Sequence, residues 1–181
     1  PHLDTLAHRG IRFTHAFATS PICAASRASI LTGLYERRHQ FTFDAPPLRA
    51  ALALKSYPAL LRAAGYHTAL IGKLGIESRG VGDTISIADA TTIVPAMFDH
   101  LDNYEHWTAA GYEIPQADDT TRHLTDITGD KAIDFLHSCR PPFCLSISFN
   151  APHTQDNDPR QYIWPKTEDP LYEDAIYPEP T

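Results

Sequence analysis

Cysteine is scarce in this chain of 181 residues: Cys23, Cys139 and Cys144 are the only three, and no two form a CxxC pair. An odd count without that spacing argues against a structural zinc site and against a full disulfide framework. A basic excess is also missing, since 15 Lys and Arg stand against 22 Asp and Glu for a formal charge of −7. Nucleic acid is set aside as a partner, because phosphate backbones are held by basic clusters. No apolar run nears the roughly 18 residues that cross a bilayer, and no charged-and-apolar leader opens the chain. The expectation is a soluble protein without a membrane span, any export signal lying outside this sequence. Internal repeats and low-complexity tracts are lacking too.

What is present suffices for one ordinary domain, with 43% hydrophobic residues to build a core. Residues 2–8 carry Leu3, Leu6 and Ala7 at helical spacing before Gly10, and 11–17 alternate through Ile11, Phe13 and Ala16 as a strand would. After Ser20 and Pro21, residues 24–34 predict a short helix beginning just past Cys23, with Ile30, Leu31 and Leu34 on one side. Pro58 starts a helix with Leu60, Leu61 and Ala64 as its buried stripe, and 67–71 read as a strand. The longest helical signal spans 121–138, with Leu124, Ile127, Ala132, Ile133 and Leu136 on one stripe, followed by a buried strand over 143–149. Residues 83–112 show no sustained period. Helix and strand alternate, so the fold class is α/β, a sheet covered by helices. Beyond Asn150 the prolines predict an extended surface segment over 151–181.

The chemistry-bearing residues cluster in three places. Cys23 stands at a helix N-terminus, where unpaired N–H groups favour negative charge, and Arg27 follows one turn later. That pattern marks a candidate nucleophile or anion site, the plain alternative being a small buried thiol beside a surface arginine. Lys73 follows the strand over 67–71, at the strand end where α/β folds gather ligands, the plain alternative being an ordinary surface lysine. His153 follows the strand over 143–149, where an imidazole can donate a proton near neutral pH, the plain alternative being a histidine that caps a loop. His39, with Arg37 and Arg38, is assigned to packing and ion pairs. Asp118, Asp119, Asp126 and Asp130 are read as favouring a helix N-terminal end, not as metal ligands. Cys139 and Cys144 are read as small packed thiols.

Residues 3–39, LDTLAHRGIRFTHAFATSPICAASRASILTGLYERRH, resemble the signature region of the type I sulfatases, with Cys-x-Pro/Ala-x-Arg and a following Leu-Thr-Gly. Residues 65–73, GYHTALIGK, and 148–154, SFNAPHT, resemble two further elements of that family in the same order. The resemblance implies an alkaline phosphatase-like fold, a mixed sheet sandwiched between helices, of which 1–181 form part of the larger N-terminal catalytic domain. It implies that a maturation enzyme oxidises Cys23 to formylglycine, whose hydrate attacks the sulfur of a sulfate ester, carbohydrate sulfates being the default substrates. Arg27 is then positioner and charge stabiliser, Lys73 the sulfate binder, and His153 the proton donor or substrate contact. Ala25, where proline is commoner, bears on which maturase serves the chain. Calcium or a similar divalent cation is the implied cofactor, with position 23 contributing one ligand and the others lying outside this chain, so the piece alone is expected to be inactive. A periplasmic or secreted location follows from family habit. Many relatives carry a histidine two positions after the lysine, whereas Lys73-Leu74-Gly75 does not. Two rival readings stand beside the first: a phosphonate monoester or phosphodiester hydrolase, and a non-catalytic protein that binds sulfated glycans.

Overall fold

The computed structural model describes residues 2–42, 48–76, 96–103, 111–176 and 179. Its elements in chain order are α1 (His2–Arg9), α2 (Cys23–Thr32), α3 (Glu36–His39), α4 (Ala50–Ala53), α5 (Tyr57–Ala63), β1 (His67–Gly72), β2 (His100–Asn103), β3 (Glu113–Pro115), β4 (Thr121–His123), α6 (Leu124–Ser138), β5 (Phe143–Ser148) and a 3₁₀ helix, Lys166–Tyr172. No described helix is long and apolar enough to cross a membrane.

The main sheet runs β2-β1-β5 and is wholly parallel, Ala69 lying opposite His100 on one side and Leu145 on the other. Strand β1 is central and buried almost throughout, which its Thr-Ala-Leu-Ile run suits. Successive side chains of a strand point to opposite faces. Leu70 accordingly packs with Ala24, Ala28 and Leu31 of α2, Ala53 of α4 and Ala59 of α5. Ala69 and Ile71 pack on the other face against Ala132 and Phe135 of α6. The α/β class expected from the sequence is therefore present, helices covering both faces. The antiparallel pairing is separate, in the β3-β4 ribbon.

Several local expectations change. Residues 11–17 form no strand: Ile11, Phe13 and Phe17 are exposed, and no described strand lies beside them to complete the ladder. In α2 the buried face is Ala24, Ala25, Ala28 and Leu31, whereas Ile30 points outward, because small residues let the helix lie close on the sheet. In α5 Pro58 and Ala59 are buried and Leu60 is exposed. The helix expected over 121–138 starts at Leu124, since 121–123 pair with β3, and its buried residues include Thr128 and Phe135, not Ile133 or Leu136. Strand β5 is only partly buried, with Phe143 and Ile147 exposed. The proline-rich stretch after Asn150 is wound into turns and the 3₁₀ helix instead of running extended, and buried Ile163 pins it to Tyr112 and Leu124. Most of the unassigned span 83–112 lies outside the described residues.

The remaining polar residues take structural places. Buried His39 accepts the Phe41 N–H at Nδ1, 3.1 Å, so its Nε2–H donates to Ser29 Oγ, 2.9 Å. Burial lowers its pKa, against the opposing pull of Glu36, in keeping with this neutral form. Asp126 lies in the first turn of α6, Asp130 pairs with Arg122, and Asp118 accepts from the Thr120 N–H in a turn. Cys139 and Cys144 are half-buried free thiols.

Candidate active site

Cys23 is the first residue of α2, and the preceding Ile22 has no side chain able to cap the helix, so the exposed N–H end belongs to the backbone. Four residues on, Arg27 reaches across to the C-terminal edge of the sheet. One guanidinium nitrogen, Nη1, donates to the Lys73 carbonyl, 2.7 Å, and to Ser148 Oγ. Lys73 leaves the end of β1 and Ser148 ends β5, and the Lys73 N–H donates to the Ser148 carbonyl, 2.9 Å. A single cation thus ties α2 to both strand ends.

Two glycines make this approach possible. Gly72 has φ +105°, and a Cβ there would stand 2.0 Å from the Ser148 carbonyl oxygen, so β1 and β5 close together only without a side chain. Gly75 has φ +65°, and a Cβ there would stand 2.8 Å from Arg27 Cδ. The position two residues after Lys73 thus lies directly against the Arg27 side chain.

The electrostatics favour an incoming anion. Burial lowers the pKa of Arg27, an effect the neighbouring Cys23 opposes. Its Nε is enclosed and has no partner among the described residues, and no described carboxylate pairs with the guanidinium. A desolvated cation without a counter-charge is costly, and a bound anion offsets that cost.

His153 stands five residues past β5, beyond the same strand ends that carry Lys73 and Ser148. Its ring is exposed, and Nδ1–H donates to the Thr154 carbonyl, 2.7 Å. Its N–H closes a turn onto the Asn150 carbonyl, 3.0 Å. Buried Asn150 has an amide with no partner for either polar atom among the described residues. Of the four residues singled out from the sequence, Cys23, Arg27 and Lys73 are linked through α2 and the Arg27 bonds, and His153 belongs to the adjoining loop. Ser148 as a partner of Arg27 escaped sequence reasoning, although it lies inside the SFNAPHT element; its small hydroxyl on a strand end was the available signal. Tyr112, whose hydroxyl meets the His153 carbonyl, had none, lying in a stretch without period.

A family model described as Sulfatase matches residues 1–177. The chain belongs to the sulfatase family. It is 30% identical over 184 residues to the N-acetylglucosamine-6-O-sulfatase of Bacteroides thetaiotaomicron, a match covering 99% of this chain and 30% of that protein. Among solved structures, BT4656 in complex with its substrate D-glucosamine-2-N,6-O-disulfate superposes with a TM-score of 0.67 at 27% identity, covering 99% of this chain and 34% of that one. The phosphonate monoester hydrolase of Agrobacterium radiobacter shares the fold at a TM-score of 0.65 and 22% identity, over 84% of this chain and 36% of its own. The chain thus spans about a third of the length of these sulfatase-fold proteins, and the alkaline phosphatase-like architecture expected from its motifs is the one they share.

Proposed function

We propose that this chain is part of the catalytic domain of a sulfate ester hydrolase in which Cys23, converted to formylglycine, is the nucleophile. The carrying observation is the half-buried Arg27 guanidinium, lodged between Lys73 and Ser148 four residues from Cys23 with no described carboxylate to neutralise it. Sulfatase membership supports sulfate esters as the substrate class.

The conversion is a two-electron oxidation of the Cys23 side chain to an aldehyde with loss of its sulfur, carried out by a separate maturation enzyme that brings its own oxidant. Hydration of the aldehyde gives a geminal diol. One diol hydroxyl loses its proton to water and its oxygen forms a bond to the ester sulfur as the S–O bond to the alcohol breaks, and His153, as imidazolium, gives that departing oxygen a proton. The second hydroxyl then gives its proton to the now neutral His153, the carbon–oxygen bond to sulfate breaks, and the aldehyde re-forms with release of sulfate. Arg27 holds the diol and offsets the charge growing on the sulfuryl oxygens, and Lys73 binds the sulfate as a point charge.

Calcium or a similar divalent cation belongs to the proposal for the whole protein. Among the described residues no three His, Cys, Asp or Glu side chains gather, and a hard cation needs about six to eight oxygen ligands. These residues do not make a metal site by themselves, and no step above is routed through one.

The similarity to the N-acetylglucosamine-6-O-sulfatase, together with the glucosamine disulfate bound by BT4656, supports carbohydrate sulfates as substrates, and a periplasmic or secreted place suits them. A second reading, a protein that binds sulfated glycans without turnover, is motivated by Gly75, which supplies no imidazole two residues after Lys73. The test uses the full-length protein made with a maturase that accepts Ala25. A trapped aldehyde in the Cys23 peptide together with release of sulfate from glucosamine 6-O-sulfate supports the hydrolase. Faster release from an aryl phosphodiester moves the assignment to the phosphonate hydrolase class. Tight glycan binding without release by aldehyde-bearing protein supports the binding protein.

A further inference from the structure

Among the described residues Tyr112 is the bulkiest of the fully buried side chains, 1% exposed, yet it carries a hydroxyl and lies in no strand or helix. Its hydroxyl donates to the His153 carbonyl, 2.8 Å, and its N–H donates to Gln155 Oε1, 2.9 Å. One residue thereby grips the His153 loop at two points, two residues apart. Its own place is fixed from behind. The Tyr112 carbonyl accepts the Leu124 N–H, 2.8 Å, and the ring stacks on His123 with centroids 5.1 Å apart and planes 3° from parallel. His123 accepts the Thr125 N–H at Nδ1, 3.2 Å, so its Nε2–H donates to the Ile163 carbonyl, 3.1 Å. Tyr112 therefore connects the start of α6 to the loop past β5.

The grip bears on the imidazole. His153 Nδ1–H donates to the Thr154 carbonyl, 2.7 Å, and that carbonyl sits between the two points that Tyr112 holds. A carbonyl only accepts, so this bond keeps a proton on Nδ1; the acid form carries a second proton on Nε2, which is the one given to the ester, and the neutral form left behind is the Nδ1–H tautomer. We propose that Tyr112, with Gln155 as its counterpart, is a positioning residue that fixes the tautomer and aim of His153. The proposal rests on the reading of His153 as proton donor, and it adds residues outside the motifs that suggested that reading.

The experiment compares Tyr112→Phe with the unaltered full-length protein, both aldehyde-bearing, on two sulfate esters: glucosamine 6-O-sulfate, whose alcohol needs a proton to leave, and nitrophenyl sulfate, whose phenolate does not. The phenylalanine ring keeps the stack on His123. The expected result is a kcat lower by about tenfold on the sugar ester, under about twofold on the nitrophenyl ester, and KM little changed, as the loss of one hydrogen bond acting through a general acid would give. In a His153→Ala background Tyr112→Phe adds less than about twofold. Equal losses on both esters, or the same factor in the His153→Ala background, overturn the proposal in favour of a purely structural tyrosine. If Tyr112→Phe does not fold, Gln155→Met, which removes the acceptor of the Tyr112 N–H at similar length, is read by the same ratio. If His153→Ala costs nothing on the sugar ester, the proton-donor role fails, and nitrogen-15 spectra of labelled histidine then judge Tyr112 alone. An Nδ1–H tautomer lost in Tyr112→Phe upholds the positioning, and an unchanged one overturns it.

Discussion

Arg27 and His153 stand beyond the same edge of one parallel sheet and are held in opposite ways. Arg27 is held by its side chain: half-buried, bonded to a strand end and to the residue after another, with glycine where a side chain would collide with it. His153 is held by its backbone, with its ring exposed and its carbonyl and turn bonds made to Tyr112 and Asn150. The difference follows the task each has in the proposed reaction. A cation that meets growing charge gains from a desolvated, preorganised place. A proton donor has to exchange with water between turnovers, so its support is placed in the loop and its ring is left in solvent.

The largest expected effect tests whether the Arg27 bonds serve catalysis or the fold. Arg27→Met should lower kcat/KM on a sulfate ester by about 10²- to 10³-fold, the scale of losing one preorganised charge stabiliser. The same variant should keep or raise the melting temperature, because a half-buried cation without a carboxylate partner is replaced by an apolar chain of similar length. A melting temperature that falls with activity would make Arg27 a structural clamp and erase the contrast with His153. His153→Ala should give the mirror result on the other side: a loss of about 10²-fold confined to esters with poor leaving groups, with stability within about 0.5 kcal/mol by denaturant titration.

Gly75→His sharpens the Arg27 side further. If the absent histidine were a simple deficiency, restoring it would raise activity. The geometry predicts a fall of about tenfold and a destabilisation of about 1–2 kcal/mol, since the backbone is left-handed and the new Cβ displaces Arg27. Kinetics and melting of that one variant decide it.

The smallest effect on activity belongs to the opposite end of β1, which serves as a control. Burial would raise the Asp99 carboxyl, but hydrogen bonds from the Thr68 N–H, Arg62 and the Thr68 hydroxyl outweigh it and hold the pKa below the ordinary value. A depressed folded-state pKa means stability that is present above about pH 4 and lost as pH falls through the folded value. Asp99→Asn should therefore cost about 1–3 kcal/mol at neutral pH, flatten the acid limb of the stability profile and leave kcat unchanged. An activity loss there would mean that disturbance at one end of β1 reaches Lys73 at the other.

Legibility was uneven along the chain. Strands β1 and β5 and the helices α2 and α6 are readable within a few residues, because period and breakers such as Pro21 before α2 are local properties. The faces those helices bury were less readable. Hydrophobicity favoured Ile30, Leu60 and Leu136, whereas close packing on the sheet selected Ala28, Ala59 and Phe135. The apparent strand over 11–17 shows the same limit, since alternation supplies a face but a ladder needs a neighbour.

By itself the sequence determined the α/β class, the family, and the three motifs that bring Cys23, Arg27, Lys73 and His153 to notice, because each is carried by residue type and spacing along the chain. Only the tertiary structure decided that Arg27 bonds the Lys73 carbonyl and Ser148, that Gly75 lies against Arg27, and that Tyr112 holds the His153 loop. Those contacts join residues 41 to 121 positions apart; the parallel register of β1 with β5 and the seat of α2 upon them make the Arg27 contacts, and the start of α6 places Tyr112.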